Sequence, residues 1–366
     1  MLRRVLFQLH LWCGVGLGLF LVVQAITGVA VAFRHAGNKW VHHDEMIVVP
    51  DERLQIPMSA VLDSFGRSFP GIPLNVLSVM FPQAPDEAFF IRVWDNAPSP
   101  NFYVSMNPYT GDITGSGSKY QYPFELAFRI HEQLSMGTPG IKAVHAGGFL
   151  MMLMSASGLI LWWPRGATLR QALRIHRRPT TRFLHDLHRV IGAYAFTALF
   201  IVATSGTMIL GLLSLLPFKS APSGLNAFAG ATLDPNPSGP SAPIDDVIAA
   251  ATAHFPSSPI RDLSYIRLMR RVAVVSFIAD DNPNIRALNR VFFERHSGRV
   301  LAVVRASDLA GVPLIEQWAL PVHSGEIIGN PGRLLVMLSG LAVPFLFVTG
   351  LWSWLKMRSV ARKKHD

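Results

Sequence analysis

One cysteine in 366 residues, Cys13, excludes a disulfide framework and a cysteine-built metal site, and it stands inside an apolar run. Charge is also scarce. Asp, Glu, Lys and Arg make up 15% of the chain and hydrophobic residues 50%, with a mean hydropathy of +0.32, high for a water-soluble protein. Motifs for several common chemistries are missing. There is no Walker loop, and the nearest approach to G-x-G-x-x-G lies within an apolar run instead of after a strand, so no nucleotide or flavin domain is visible. G-x-S-x-G and H-E-x-x-H are absent, which removes the usual hydrolytic nucleophile and zinc. Without C-x-x-C-H, covalent haem attachment is excluded.

What is present is written twice. The stretch from His131, HEQLSMGTPG to SGLILWWPR, recurs from His323 as HSGEIIGNPG to TGLWSWLKMR, both opening H-x5-G-x-P-G. His131 precedes Gly158 by 27 residues, and His323 precedes Gly350 by the same 27. A second pair repeats likewise: His10 precedes Thr27-Gly28, and His188 precedes Ser205-Gly206, with 18 residues from histidine to glycine in each. A self-match at fixed spacing identifies a duplicated unit.

Four apolar runs are long enough to cross a hydrocarbon core of about 30 Å at about 1.5 Å per residue. They divide the chain into a first span within 1–33, an outer module over 34–142, a second span over 143–163 and a basic loop over 164–189. The third span covers 190–216, a second outer module 217–333, the fourth span 334–355 and a basic tail 356–366. The first run is longer than the roughly 7–15 residues of a signal-peptide core and has a twin near residue 200, so it reads as retained. Each outer module orders an amphipathic helix before strands. In the first, PMSAVLDSFGRSFPG precedes LSVMFP, AFFIRVWD, NFYVSMNP and an NPYTGDI corner. In the second, IDDVIAAATAHFP precedes LSYIRL, VAVVSFIAD and RVFFERHSGRVLAVV. The predicted fold is an all-α membrane four-helix bundle, a duplicated two-span unit, with two α+β modules.

Loop charge orients it. Residues 164–188 hold six Arg and one Asp, and Arg3, Arg4 and the tail are basic, so both termini face the cytoplasm and the modules face outward. Trp162, Trp163, Trp352 and Trp354 fall at the expected inner aromatic belt. The net charge of +10 is thus a topology signal for a lipid bilayer and not a nucleic-acid footprint.

Histidines carry the chemistry. His10 and His188 share one depth at the inner ends of spans one and three; His131 and His323 share another at the outer surface; His35 and His145 lie near outer helix ends. Ionisable residues at such positions mark function. Paired neutral imidazoles within apolar helices suit the axial ligation of haem b. Gly14, Gly16, Gly18 and Gly192 are expected to let a porphyrin approach the backbone, and Gly28 and Gly206 to serve helix packing. The HHDE run, His42 to Glu45, has the composition of a metal cluster but is expected as a solvated loop.

The phrases LHLWCGVGLGLF…TG, LHDLHRVIGAY…SG, IHEQLSMGTPG…SGLILWWPR and VHSGEIIGNPG…TGLWSW closely resemble the PepSY-associated transmembrane proteins, over nearly the whole chain. The resemblance implies PepSY-like periplasmic modules, a bacterial inner-membrane location and, in the iron-regulated ferric-siderophore reductase type, two haems b. It implies haem-iron ligands among His10, His188, His131 and His323. His35, in FRHAGNKW, matches the family's F-R-H without the acidic residues that follow it, and His145 is replaced by Met337 in the repeat. The partners implied are a ferric siderophore and a cytoplasmic or quinol electron donor, with the two haems roughly 20 Å or less apart across the bilayer. The alternative is a non-enzymatic membrane protein whose modules bind peptide, protease or metal at the periplasmic face. A transporter is disfavoured because the spans hold no Asp, Glu, Lys or Arg for coupling an ion.

Overall fold

A computed structural model describes residues 1–51, 54–74, 77–93, 101–166, 168–209, 233, 240–265, 271–280 and 282–362. The chain forms two compact units, one of Met1–Arg34, Ala127–Pro217 and Trp318–Asp366, the other of His35–Leu126 and Phe218–Gln317. In chain order the helices are α1 (Leu2–Ala32), α2 (Arg34–Val41), α3 (His43–Met46), α4 (Met58–Ser68), α5 (Pro123–Gln133), α6 (Thr138–Trp162), α7 (Leu169–Ala172), α8 (Thr180–Ile209), α9 (Ile244–Thr252), α10 (Val312–His323) and α11 (Gly329–Arg362). The strands are β1 (Leu77–Met80), β2 (Phe89–Val93), β3 (Phe102–Met106), β4 (Ile113–Ser118), β5 (Ile260–Tyr265), β6 (Val272–Ile278), β7 (Leu288–Glu294) and β8 (Val300–Val304).

Four membrane-capable segments lie in the first unit: Leu2–Ala32, Thr138–Trp162, Thr180–Ile209 and Glu326–Lys356. Each helix begins ahead of its apolar run, because the helical backbone takes in polar turns that hydropathy does not mark. Thus α8 begins at Thr180 and carries Arg182, His185, Asp186 and His188 before its apolar stretch; the expected end of that span, 210–216, lies outside the described residues. A glycine with φ of 68°, Gly137, turns the chain into α6, and Pro139 follows in the first turn, where its missing N–H costs no hydrogen bond. The helix α1 packs on α6 and α11, and α8 packs on the same two. A narrow apolar core of Leu21, Ala195, Leu199 and Val343 runs between them, lined by Phe20, Met151, Met154 and Leu346. Leu19, Phe149, Leu153, Leu338 and Val348 remain exposed, as an acyl-chain environment requires.

The second unit holds one antiparallel sheet of eight strands in the order β4-β3-β2-β1-β5-β6-β7-β8. The strands expected as two separate modules are therefore two halves of one sheet. The halves join where β1 pairs with β5, placing Ser78 opposite Ser264, Val79 opposite Leu263 and Met80 opposite Asp262. Either half alone would leave that edge with unpaired N–H and C=O groups. Alternation at period two sends Val79, Ile91, Val104, Leu263, Val275 and Val291 to one face, where Val61 and Phe65 of α4 and Val247 and Ala251 of α9 complete a shared core. The outermost strands follow matching corners. Gly111 (φ 77°) donates its N–H to Asn107 O, and Gly298 (φ 70°) donates to Glu294 O, each at 2.9 Å. Only glycine enters that left-handed region freely, which is why TGD and SGR stand at these two places.

Glu87 ties α2 to the approach to β2. It accepts from Lys39 Nζ, from Gln83 N at 2.9 Å and from His35 Nε2 at 3.5 Å. The His35 contact, together with Lys39 and the Gln83 N–H, holds its carboxyl down to about 2 against the opposing effect of burial. A carboxyl depressed by folding stabilises the protein above its unfolded value, and that contribution disappears as pH falls through the folded one. Thermal melts of the detergent-solubilised protein should accordingly lose stability between about pH 4.5 and pH 2. Glu87→Gln should flatten this part of the profile and cost on the order of 1–2 kcal/mol at pH 7, discounted for exposed partners.

Candidate functional site

Four histidines of the helical unit are each seated on a glycine of another helix. His10, on α1, lies over Gly158 of α6; a Cβ placed there would stand 3.3 Å from the ring's Cε1. His188, on α8, lies over Gly350 of α11 at 3.1 Å by the same measure. His131, on α5, lies over Gly28 of α1 at 2.9 Å, and His323, at the end of α10, over Gly206 of α8 at 2.8 Å. The absent side chain lets each imidazole rest against bare helix backbone.

That position gives each ring a hydrogen bond. His188 Nδ1 is 3.0 Å from Leu346 O and 3.2 Å from Thr349 Oγ1. His131 Nδ1 is 2.9 Å from Gln24 O and 3.3 Å from Thr27 Oγ1. His323 Nδ1 is 2.8 Å from Val202 O. In each case the carbonyl belongs to the residue four before the seat glycine, a helix carbonyl whose second lone pair is still available. For His10, Ser157 Oγ lies 2.9 Å from Nδ1 and donates its own proton to Met154 O at 3.1 Å, again four before the seat. Carbonyls only accept, so Nδ1 carries the proton in His131, His188 and His323, and His10 shares that tautomer where Ser157 gives its hydrogen to Met154 O. Nε2 then holds the lone pair, and no hydrogen bond occupies it among the described residues. This is the tautomer that ligates a metal, with Nδ1–H fixing the ring as an outer-shell partner does.

The seated rings meet in pairs. The His10 and His188 centroids are 6.5 Å apart with planes at 88°, and those of His131 and His323 are 6.0 Å apart at 43°. Two imidazoles bound on opposite sides of one metal, with bonds of about 2 Å, place their centroids about 6 Å apart. The pairs hold two ligands each, and no cluster of three or more His, Cys, Asp or Glu suited to a metal occurs among the described residues. The helices α5 and α10 lie outside the spans, and there burial, then the charge of His323, pushes His131 down to about 4 against the Gln24 carbonyl. Burial lowers His323 against the Val202 carbonyl. Both are neutral at pH 7, as ligation requires.

On α1, 18 residues separate His10 from Gly28, and on α8 the same number separates His188 from Gly206. At about 1.5 Å per residue the two pairs stand about 27 Å apart along these helices, more than the roughly 20 Å or less expected between the two sites. Two expected residues join neither pair. His35 faces Glu87 with its side chain 69% exposed, and His145 lies half-buried on α6.

The glycine roles differ from expectation. Gly28 and Gly206, expected to serve helix packing, are histidine seats, whereas a Cβ at Gly16 meets nothing within 4 Å and one at Gly192 meets only Leu346. Gly18 makes room for the Phe347 ring. The sequence signal for the seats was the Ser/Thr before every one of these four glycines: Thr27, Ser157, Ser205 and Thr349.

Beside the His10–His188 pair, buried Asp186 organises the basic loop. Its Oδ2 accepts from His176 N at 3.0 Å and lies 2.8 Å from His176 Nδ1, while Oδ1 accepts from Arg189 at 3.4 Å. Arg165, Arg170, Arg174, Arg177, Arg178 and Arg182 remain exposed around this anchor. On the neighbouring helix ends Trp12 meets Trp354 edge-on at 6.1 Å, and Arg358 lies over Trp354 at 4.5 Å.

A family model described as PepSY-associated TM region matches residues 7–356. No curated protein matches the chain.

The seats are testable by size. Gly206→Ala should force the His323 ring off its carbonyl and destabilise the protein by about 1–3 kcal/mol, as overpacking does. Gly16→Ala, with open space around it, should be neutral or gain up to about 1 kcal/mol from helix propensity. Paired thermal melts in detergent provide the comparison.

Proposed function

Because the chain belongs to the PepSY-associated TM region family, we propose that it is a haem b protein of the bacterial inner membrane that passes electrons outward and reduces ferric siderophore. The observation that carries this reading is the pairing of His10 with His188 and of His131 with His323 at 6.5 and 6.0 Å, each ring with Nδ1 engaged. When bound, haem b supplies reversible one-electron transfer.

The chain's own part follows from the seats. His10 and His188 would hold the inner iron, and His131 and His323 the outer one. The Nδ1 bond, to a helix carbonyl in His131, His188 and His323 and to the Ser157 hydroxyl in His10, fixes ring orientation and leaves Nε2 for the iron. Leu21, Leu199, Val343 and their neighbours keep water out of the interval between the sites. The basic loop and tail face the cytoplasm under the positive-inside rule, as do both termini, and the PepSY-like halves of the sheet face the periplasm. There a ferric chelate takes one electron per iron. The resulting Fe(II) is held less tightly by hard oxygen ligands and leaves, freeing the siderophore. The exposed arginines around Asp186 suit an acidic soluble donor, steered to a basic surface at rates that fall with salt.

The purified protein should be red, with haem b extractable without breaking a covalent bond. His10→Ala or His188→Ala should remove about half the haem, and His131→Ala or His323→Ala the other half, each leaving one spectrum intact. A colourless preparation from haem-replete cells would overturn the proposal in favour of a non-enzymatic binding protein. Stopped-flow haem reduction by an acidic donor should slow with ionic strength and with Arg174, Arg177 and Arg178 neutralised. Rates indifferent to both would assign donation to quinol within the membrane.

A further inference from the structure

In the HHDE run His43 and Asp44 are exposed, as its composition suggests, but His42 and Glu45 turn inward. His42 caps α3, and Glu45, within α3, turns its carboxylate in towards the sheet face opposite the apolar core. Tyr103, from β3, donates its hydroxyl to Glu45 Oε2 at 2.6 Å, and Tyr122, just before α5, donates to the same oxygen at 2.6 Å. The two phenol rings lie 4.8 Å apart and are 0% and 1% exposed. The His42 ring sits 3.8 Å from that of Tyr122, with Nδ1 3.6 Å from Glu45 Oε1. Its Nε2 is buried with no hydrogen-bond partner. Gln121 donates an amide N–H to the Tyr103 oxygen. Room for the carboxylate comes from β4, where a Cβ at Gly115 would stand 2.7 Å from Glu45 Oε2.

A plain structural tie would explain one carboxylate accepting from one or two hydroxyls. It does not explain a histidine whose free nitrogen is buried beside them, because an unmet polar atom costs about 1–3 kcal/mol. We propose that His42, Glu45, Tyr103 and Tyr122 form a binding site for a hard trivalent cation, Fe(III), separate from the paired histidines of the helical unit. The ligand set has the right chemistry: a carboxylate and two phenol oxygens that become phenolates, completed by the imidazole nitrogen of His42. Hard cations take oxygen donors, and phenolate is among the hardest a protein offers.

Charge selects the valence. Loading releases one proton from Tyr103 and one from Tyr122, and no electron moves. One carboxylate and two phenolates then balance three positive charges, so the complex is neutral, as a site with both phenols buried demands. A divalent ion on the same three oxygens would leave a buried negative charge. In the free site both phenols give their hydrogens to Glu45 Oε2, so they hold their protons until a cation of high charge displaces them, as bound metals do. Glu45, with 26% of its side chain exposed, provides the way in.

The test uses the full-length protein in detergent and Ga(III) citrate, a redox-inert stand-in for Fe(III), with Ca(II) as the divalent control. The readouts are the ultraviolet tyrosinate difference spectrum and proton release at fixed pH, both indifferent to whether haem is present. The expected result is one Ga(III) per chain with close to two protons released, and no such signal with Ca(II). Tyr103→Phe and Tyr122→Phe should each remove about half the tyrosinate signal and weaken binding at least about tenfold. His42→Ala, which keeps the Glu45–tyrosine bonds, should weaken binding about tenfold with the signal retained. Gly115→Ala should abolish binding by displacing Glu45 while leaving all four ligand residues in the sequence. The proposal is overturned by a wild-type protein that gives no tyrosinate signal, by equal binding of Ca(II), or by His42→Ala and Gly115→Ala variants that bind Ga(III) as the wild type does. The last pair decides the matter even where a tyrosine variant fails to fold.

Discussion

An imidazole N–H given to a helix carbonyl across a glycine is the interaction on which the helical unit depends. It occurs four times, always on the carbonyl four residues before the glycine or on the hydroxyl that serves it. Each occurrence dictates local sequence on two helices at once. One must supply histidine at the right turn; the other must bare its backbone there and yet remain helical, which Ser or Thr before Gly achieves by bonding its hydroxyl back into the preceding turn. The apolar packing of α1, α6, α8 and α11 sets distances between helices, but this contact sets their register along the axis. It also removes the penalty of burying a polar nitrogen at Nδ1, since every Nδ1 is satisfied.

The same arrangement explains why the duplication matters chemically. A single copy of the two-span unit supplies one histidine and one seat at each depth. Only two copies facing each other put two imidazoles about 6 Å apart at both ends. The sheet obeys a parallel logic: each half brings one helix, four strands and one unsatisfied edge, and the core closes when β1 meets β5. In both units the repeat is half of a site or half of a core, and neither half is self-sufficient.

Much of this was legible in the sequence for a definite reason. Equal spacings of 18 and 27 residues survive only if both copies keep the same helical geometry, so they located the histidines and the glycines together. Hydropathy located the four spans, because the bilayer imposes a length. Period-two patterns and turn glycines at Gly111 and Gly298 located the strands. What escaped was pairing between distant segments. Nothing local distinguishes Gly28, a seat, from Gly16, which faces open space, because the difference lies on another helix. Nor does the composition of HHDE reveal that Tyr103 and Tyr122 will close over Glu45 from strands and turns far along the chain. The alternation in β1 and β5 is equally compatible with two small sheets or one large one, since side-chain period says nothing of the neighbouring edge.

The β1–β5 seam has a temporal side. The edge of β1 is made near residue 80, and its partner emerges only near residue 260, after two intervening helices of membrane-spanning length have been synthesised. At roughly 5–20 residues per second this leaves the first half-sheet waiting some 10–40 s with an open strand edge. During that interval it is at its most vulnerable to pairing with a neighbouring chain. Ser78, on the face of β1 away from the core, is the polar residue of that waiting edge, and its hydroxyl meets Ser264 at 2.7 Å once β5 arrives, with Asp262 bonded to Ser264 beside it. That bond is one that only its own second half supplies.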